Sequence, residues 1–207
     1  MTLDDPVMTL GTEAAPGVLL LHPWWGVTPA VRLWAEHLVA VGRRVLVPDL
    51  FGGRRTCAVH EAEQLAQAAI ADPEVQALVD RCADRLAAGG RPWVAMGFSL
   101  GAFLACRLAA RGATAPAELE LLYGGQPPTG PDVGTRHVEL HVVPDDPWFP
   151  EDELTPVEAG FRAAGAEVVV HRYPGCGHWF AEEGSTGYDA VAAAAVRDRV
   201  LDRLRVG

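Results

Sequence analysis

Gly97-Phe98-Ser99-Leu100-Gly101 joins the apolar run Trp93–Phe98 to the helical run Gly101–Arg111. A strand buried on both faces of a parallel sheet is apolar along its whole length, as Trp93–Phe98 is. A strand that turns at once into a helix around glycine, serine and glycine predicts a sharp turn at the edge of such a sheet. The two glycines allow neighbouring backbone to pass close to Ser99 without Cβ clashes.

Short apolar runs alternate with longer helical patterns on both sides of this turn. The alternation predicts an α/β fold with a mostly parallel central sheet and helices on both faces, in the coarse order βαβαβαβαβα. Val7–Leu10 is predicted to be an antiparallel edge strand. The other predicted strands are Val18–His22, Arg44–Pro48, Trp93–Phe98, Leu119–Tyr123, His137–Val143 and Glu167–Tyr173.

Helix ends are marked by capping residues and glycines. An N-capping oxygen before a proline predicts the start of a helix, and a glycine after a helical run predicts its end. Apolar spacing predicts a closing amphipathic helix over Tyr188–Leu204, whereas Phe51–Ile70 is compatible with a loop, a short helix or both. Starts are expected at Thr28-Pro29, Asp72-Pro73 and Thr155-Pro156, and ends at Gly42, Gly89, Gly112 and Gly165.

The composition is that of a globular protein, with 49% hydrophobic and 21% charged residues in a chain of 207. One domain over residues 1–207 is expected at this length. The formal net charge of -10 repels polyanions, so neither nucleic acid nor an anionic membrane surface is an expected partner. The sequence leaves the oligomeric state open.

Localisation is predicted from two features. No apolar run has the length of a membrane span, and Met1–Pro6 carries Asp4 and Asp5 where a secretory signal has basic residues. We therefore expect a cytoplasmic protein. The cysteines lack the paired spacing of a metal site, so free thiols are expected and neither a metal nor another cofactor is predicted. They are Cys57, Cys82, Cys106 and Cys176.

Ser99 and Ser185 are the only serines in the chain, and Ser99 occupies the turn described above. This context is typical of a catalytic nucleophile, because the turn raises the hydroxyl above the sheet and directs the Leu100 N–H at an oxyanion formed beside it. A serine hydroxyl is a weak nucleophile without an adjacent base, and that base needs a carboxylate to fix its tautomer. A histidine and an acid are therefore expected after later strands.

His178 is the best candidate for the base among seven histidines. The flexible turn Pro174-Gly175-Cys176-Gly177 precedes it, directly after the last predicted strand. His141 and His171 lie inside strand patterns and are expected to be structural. His22 ends a strand and is the chief alternative, but its position before the serine conflicts with the chain order serine, acid, histidine.

The acid is expected after the strand His137–Val143, where Asp145 and Asp146 stand side by side. Position alone does not choose between these two carboxylates. A second oxyanion donor is expected in the loop after the strand Val18–His22. Trp24 and Trp25 follow Pro23 there, and either tryptophan can donate its main-chain N–H, whereas proline has none.

Three separated segments resemble the dienelactone hydrolases, small α/β-hydrolases without a large cap domain, and the resemblance covers nearly the whole chain. The segments are Gly97–Gly101 for the nucleophile, His141–Pro150 for the acid and Tyr173–Phe180 for the histidine. In the family's acid segment the catalytic aspartate lies five residues after the histidine and four before the proline, which implies Asp146. The resemblance likewise implies an α/β-hydrolase fold and Trp24 as the second oxyanion donor.

The sequence also departs from the family. The best-known members use a cysteine nucleophile beside an acidic residue of the first loop, whereas this chain has Ser99 and Pro23. Members that cleave dienelactone bind the substrate carboxylate with arginines, one of them four residues after the catalytic histidine, where this chain has Glu182. A carboxylate at Glu182 repels a charged substrate. The resemblance therefore implies uncharged short-chain or aryl esters and lactones as substrates.

These residues predict a serine hydrolase that cleaves small carboxylic esters or lactones through an acyl-enzyme on Ser99, with Asp146 and His178 as acid and base. Thioester hydrolysis, perhydrolysis or acyl transfer at the same site are alternatives. Two further alternatives are a non-catalytic module that binds a small ligand and a cysteine enzyme centred on Cys176. An aromatic, largely apolar pocket is expected to contact the substrate through Trp25, Tyr123, Trp148, Trp179, Phe180 and Glu182.

Overall fold

Within residues 6–206, the part of the chain that the computed structural model describes, seven strands form one sheet. The acidic pair Asp4 and Asp5, on which the expected localisation depends, lies outside the described residues. The strands are β1 (Val7–Leu10), β2 (Gly17–Leu21), β3 (Arg44–Pro48), β4 (Val94–Phe98), β5 (Glu118–Leu122), β6 (His137–Val142) and β7 (Glu167–Arg172).

The strand order is β1-β3-β2-β4-β5-β6-β7. β1 pairs antiparallel with β3, as predicted for an edge strand, and every other neighbouring pair is parallel. Central strands β2 and β4 are buried at every position, which explains why they read as unbroken apolar runs. The prediction of a mostly parallel α/β fold is confirmed.

Helices cover both faces of the sheet. Side chains of α1 and α6 pack with one apolar cluster, and those of α2 to α5 pack with another on the opposite face. No helix within residues 6–206 is both long and apolar enough to cross a membrane. The helices are α1 (Pro29–Ala40), α2 (Val59–Ala71), α3 (Pro73–Ala87), α4 (Leu100–Arg107), α5 (Glu151–Ala163) and α6 (Ala190–Leu204).

Two of the three predicted helix starts are confirmed by their capping bonds. The Thr28 hydroxyl accepts the Val31 N–H at 3.4 Å, and an Asp72 carboxylate oxygen accepts the Glu74 N–H at 2.8 Å. The predicted start at Thr155 is wrong, because α5 begins four residues earlier with three acidic residues in its first turn. Negative charge at the helix N-terminus favours that earlier start, and the helix contains Pro156.

The predicted alternation of strands and helices fails between β5 and β6. Residues 123–136, which join them, form no helix, since this stretch contains four glycines and three prolines. Gly112 lies beyond the end of α4, in a short 3₁₀ turn. The closing helix begins at Ala190, where Asp189 caps it, and Phe51–Ile70 divides into a loop and most of α2.

Parallel strands bring their carboxyl ends to one edge of the sheet. Leu21 lies beside Gly97, Phe98 beside Leu122, and Leu122 beside His141. The loops that follow β2, β4, β5, β6 and β7 therefore meet at that edge, where ligands bind in open α/β sheets.

Candidate active site

Ser99 sits in a strained turn between β4 and α4. Its φ of 49° lies in the left-handed region that side chains rarely adopt. Its N–H donates to the Leu122 carbonyl at 2.9 Å, and its own carbonyl accepts the Phe103 N–H at 3.0 Å. These two bonds hold the turn between the neighbouring strand and the helix, with the hydroxyl at the carboxyl edge of the sheet.

The glycines of the turn are required by contact with main chain. A Cβ on Gly97 would lie 2.2 Å from the Gly101 carbonyl carbon, and one on Gly101 would lie 2.1 Å from the Leu21 carbonyl oxygen. Neither neighbour is a flexible side chain that could move aside. Packing alone therefore explains both glycines of the sequence motif.

His178 joins Ser99 to Asp146. The His178 Nε2 lies 3.0 Å from the Ser99 hydroxyl oxygen, and its Nδ1 lies 2.6 Å from Oδ2 of Asp146. Because an ionised carboxylate only accepts hydrogen bonds, Nδ1 carries the proton and Nε2 is free to accept from the serine. His178 and Asp146 are buried, with 5% and 2% of their surfaces exposed, while Ser99 is partly exposed.

The structure distinguishes the two neighbouring aspartates. Asp145 is exposed, whereas Asp146 turns inward to His178. The second carboxylate oxygen of Asp146 accepts the N–H groups of Trp148 at 2.8 Å and Phe149 at 3.3 Å. Both oxygens of Asp146 are therefore fixed, so the carboxylate sets the direction of the Nδ1–H bond of His178.

His22 has a structural environment. It is fully buried, its Nε2 accepts the Leu50 N–H at 3.0 Å, and its Nδ1 lies 2.6 Å from the Pro23 carbonyl oxygen. Burial lowers the pKa of His22, which keeps the ring neutral. The ring thus ties the loop after β2 to the chain that leaves β3.

Cys176 lies two residues before His178 and is half-buried. Burial, together with the nearby charge of Asp189, raises the pKa of its thiol. A thiol becomes a strong nucleophile when its pKa is lowered, so this environment disfavours a cysteine enzyme centred on Cys176.

Leu100 and Trp24 present main-chain N–H groups at the same edge. Leu100 opens α4 directly after Ser99, and Trp24 follows the adjacent strand β2. Within residues 6–206 neither N–H donates to another main-chain group. Both N–H groups therefore have no main-chain acceptor among the described residues.

Four indole rings form a tryptophan cluster over this edge. The ring of Trp24 lies 5.2 Å from Trp25, 4.9 Å from Trp148 and 5.5 Å from Trp179, between centroids. The ring of Trp179 also meets the ring of His178 edge-to-face, with centroids 5.2 Å apart. Trp148 is 46% exposed, so the cluster borders both the base and the solvent.

Tyr123 and Glu182 lie behind the base. Tyr123 is fully buried, its ring meets His178 edge-on at 5.0 Å, and its hydroxyl donates to Glu182 Oε1 at 2.7 Å. Burial raises the pKa of Glu182 to about 8, against which the Tyr123 bond acts more weakly. The protonated form of Glu182 is therefore favoured at pH 7, which weakens the repulsion of a substrate carboxylate expected from its sequence position.

Phe180 belongs to the core. It is fully buried and packs against Tyr123 at 5.7 Å and Tyr173 at 4.7 Å, beneath the site instead of on its surface. Sequence reasoning missed the bond between Tyr123 and Glu182. The one available signal was that Tyr123 follows a strand end and Glu182 follows His178 by four residues.

A cavity of about 280 Å³ opens beside the tryptophan cluster. Trp25 and Glu182 line it together with Thr28, Thr56, Cys57 and Ser185. No group of three or more His, Cys, Asp or Glu side chains within residues 6–206 has an arrangement that could hold a metal ion. The described site consists of hydrogen-bonding and aromatic groups.

Comparison with known proteins identifies the family. The model of the dienelactone hydrolase family matches residues 6–206. The chain belongs to the dienelactone hydrolase family. Carboxymethylenebutenolidase 1 of Cupriavidus pinatubonensis is 28% identical over 210 residues, which cover 93% of this chain and 87% of that protein.

Solved structures share the fold. A dienelactone hydrolase-like promiscuous phosphotriesterase from metagenomic libraries superposes with a TM-score of 0.76 at 19% identity, covering 97% of this chain and 98% of that one. Thermogutta terrifontis esterase 2 with bound butyrate gives 0.64 at 16% identity, covering 96% and 87%. The expectation of an α/β-hydrolase fold is confirmed.

Proposed function

We propose that this family member is a serine hydrolase that cleaves small, uncharged carboxylic esters or lactones through an acyl-enzyme on Ser99. The observation that carries the proposal is the hydrogen-bonded series Asp146, His178 and Ser99 at the carboxyl edge of the sheet. The family match and the similarity to a carboxymethylenebutenolidase support hydrolysis as the reaction class.

The first half-reaction acylates Ser99. His178 Nε2 accepts the hydroxyl proton while the serine oxygen bonds to the ester carbonyl carbon and the carbonyl electron pair moves to oxygen. Collapse of this tetrahedral species breaks the bond to the alcohol oxygen, which takes the proton from His178. Asp146 stabilises the imidazolium in between and itself stays ionised.

The second half-reaction releases the acid. His178 removes a proton from water, the resulting hydroxide adds to the acyl carbonyl, and the Ser99 oxygen leaves with that proton. The Leu100 and Trp24 N–H groups donate to the oxyanion in both halves, and each such donor contributes about 3 kcal/mol to the transition state. The main-chain N–H of Trp24 thus serves as an oxyanion donor, whereas its ring packs in the tryptophan cluster.

The serine and the first loop fit this mechanism together. A thiolate nucleophile benefits from a neighbouring charged group that manages its proton, whereas a serine depends on its histidine in the resting enzyme. Pro23 stands where the family places an acidic residue, and Nε2 of the buried His178 lies 3.0 Å from the Ser99 hydroxyl oxygen. The loss of the cysteine and of the acidic residue is therefore one coherent change.

The surroundings favour an uncharged substrate. The site is bordered by the tryptophan cluster, and Arg54 and Arg55 are exposed on the neighbouring loop. An apolar aromatic surface binds aryl and short acyl groups by burying their area. A substrate carboxylate would lose hydration there without gaining a buried cation.

The test is hydrolysis of a panel of p-nitrophenyl esters, lactones and acyl thioesters by the wild type and by Ser99→Ala. We expect ester or lactone hydrolysis by the wild type and a loss of about 10⁴-fold or more in kcat for the variant. A fluorophosphonate probe should label Ser99, and peptide mapping is unambiguous because Ser185 is the only other serine. Full activity of Ser99→Ala would overturn the mechanism, and thioester cleavage alone would overturn the substrate class.

A further inference from the structure

Glu182 is a buried acid whose only side-chain hydrogen bond in the described structure is to a tyrosine. It is 3% exposed and accepts from the fully buried Tyr123 hydroxyl at 2.7 Å. Burying two polar groups gains little stability over an apolar pair of the same shape. The location of this pair, directly behind His178, points to a role in the site.

The bond to Asp146 does not by itself fix the His178 ring. A single hydrogen bond sets the direction of Nδ1–H, but the ring can still rotate about that bond, and rotation moves Nε2 relative to the Ser99 oxygen. Tyr123 meets one side of the imidazole at 5.0 Å and Trp179 meets it at 5.2 Å. These two rings limit the rotation.

Tyr123 is itself held at both ends. Its φ of 39° is a strained value for a side-chain-bearing residue, and its N–H donates to the His141 carbonyl at 2.8 Å. Its hydroxyl is held by Glu182, which belongs to the same loop as His178. The bond from Tyr123 to Glu182 therefore fastens the loop that carries the base to the end of β5.

We propose that Tyr123 and Glu182 are positioning residues for His178 and act on the rate of proton transfer instead of on substrate affinity. This inference rests on the proposed function. It assigns Glu182 to the base, not to the substrate, and requires its carboxyl group only as a hydrogen-bond acceptor for Tyr123. Since a displacement of about 1 Å in a catalytic group lowers rates by up to about 100-fold, loss of this bond should be visible in kcat.

The test compares Tyr123→Phe with Tyr173→Phe. Tyr173 directly follows β7, and its hydroxyl lies 3.0 Å from Nδ1 of the buried His141. Each substitution removes one hydrogen-bonded hydroxyl and keeps the ring. We expect Tyr123→Phe to lower kcat and the rate of fluorophosphonate labelling by about 10- to 100-fold with KM nearly unchanged, and Tyr173→Phe to leave all three at wild-type values.

Glu182 provides the second pair of variants. Glu182→Leu removes the acceptor and should lower kcat as Tyr123→Phe does, whereas Glu182→Gln keeps an acceptor oxygen and should recover most of the lost rate. If Tyr123→Phe does not fold, these two variants test whether the hydrogen bond between Tyr123 and Glu182 positions His178. Circular dichroism at the assay temperature shows that each variant compared is folded.

Three results would overturn the inference. Equal kcat for Tyr123→Phe and Tyr173→Phe would make the pair merely structural, and a raised KM with unchanged kcat would make it a substrate contact. Equal losses of kcat in Glu182→Leu and Glu182→Gln would show that kcat does not depend on the hydrogen bond from Tyr123. Failure of the wild type to react with either the ester or the probe would instead contradict the proposed function, so the two failures are distinguishable.

Discussion

Adjacent aspartates in one turn have opposite environments. Asp146 is 2% exposed and bonded to His178, whereas Asp145 faces solvent. We expect Asp146→Asn to lower kcat for a p-nitrophenyl ester by about 10⁴-fold, because an amide no longer stabilises the imidazolium and its NH₂ group favours the wrong tautomer. The amide oxygen can still accept from Trp148, so the turn should survive.

Asp145→Asn is the matched control for that substitution. It removes the same charge from the neighbouring residue and should leave kcat within about twofold of the wild type, because an exposed charge contributes little. Comparable losses in the two variants, measured as kcat at saturating ester, would remove Asp146 from the proposed role.

Individual site residues differed in how far the sequence could identify them. Ser99 and His178 stand beside local glycine patterns, which a single sequence displays. Asp146 could be separated from Asp145 only by family register, because the turn that directs one carboxylate inward depends on main-chain bonds to Trp148 and Phe149. Main-chain hydrogen bonds of this kind have no signature in the amino-acid sequence.

The junction of β4 and α4 is the element most sensitive to added volume. A Cβ on Gly101 would collide with the Leu21 carbonyl at 2.1 Å and approach that of His22 at 2.9 Å. Both carbonyls belong to the segment that leads into Trp24. We expect Gly101→Ala to destabilise the fold by about 1–3 kcal/mol, and to lower kcat by about 10-fold or more as the Trp24 and Leu100 N–H groups separate.

Gly89→Ala tests whether this effect is local. Its Cβ would approach only the Leu86 carbonyl, at 3.2 Å, at the exposed end of α3. Urea denaturation and ester hydrolysis of both variants give the comparison. Wild-type kcat in a folded Gly101→Ala protein would show that the spacing of β2 and α4 does not determine the rate.

Elements were predicted well where one local signal dominates. The unbroken apolar strands and the caps at Thr28 and Asp72 are signals of this kind. Thr155-Pro156 carries the same cap pattern, but its threonine hydroxyl donates back to the Glu151 carbonyl at 2.8 Å, within a helix that acidic residues had already begun. The position at which a helix begins depends on all of its residues together. A two-residue motif such as Thr155-Pro156 therefore does not determine it.

At the scale of the whole molecule, the sheet carries a buried polar layer near α6. Glu120 and His141 are fully buried and bonded at 3.3 Å, and burial raises the pKa of Glu120 and lowers that of His141 to about 3. The His141 ring is therefore neutral at pH 7. Arg203 of α6 reaches Glu120 and Glu139 at 3.5 Å each, so this helix is anchored by charge as well as by apolar contact.

Such a layer could not be predicted from the strand patterns. β5 and β6 alternate polar and apolar residues, which normally indicates one solvated face. Here the polar residues pair across neighbouring strands and with a helix over 60 residues away in the chain. Only the tertiary arrangement shows that they are partners.

Glu182 makes the stability of the whole molecule fall as pH rises from about 4.5 to about 8. Its pKa is about 8 when folded and near 4.5 when unfolded, so the unfolded chain binds fewer protons between these values. The stabilisation is complete below about pH 4.5 and is lost as pH rises toward 8, at up to about 1.4 kcal/mol per pH unit. Urea denaturation should therefore show the free energy of unfolding of the wild type falling by a few kcal/mol between pH 5 and 8.5 relative to that of Glu182→Gln, which carries no proton to release.

Glu183→Gln is the control for this prediction. Glu183 is an exposed neighbour, so the variant should show the same pH dependence as the wild type. Parallel curves for the wild type and Glu182→Gln would mean that the carboxyl is ionised in the folded protein, which its burial against Tyr123 argues against.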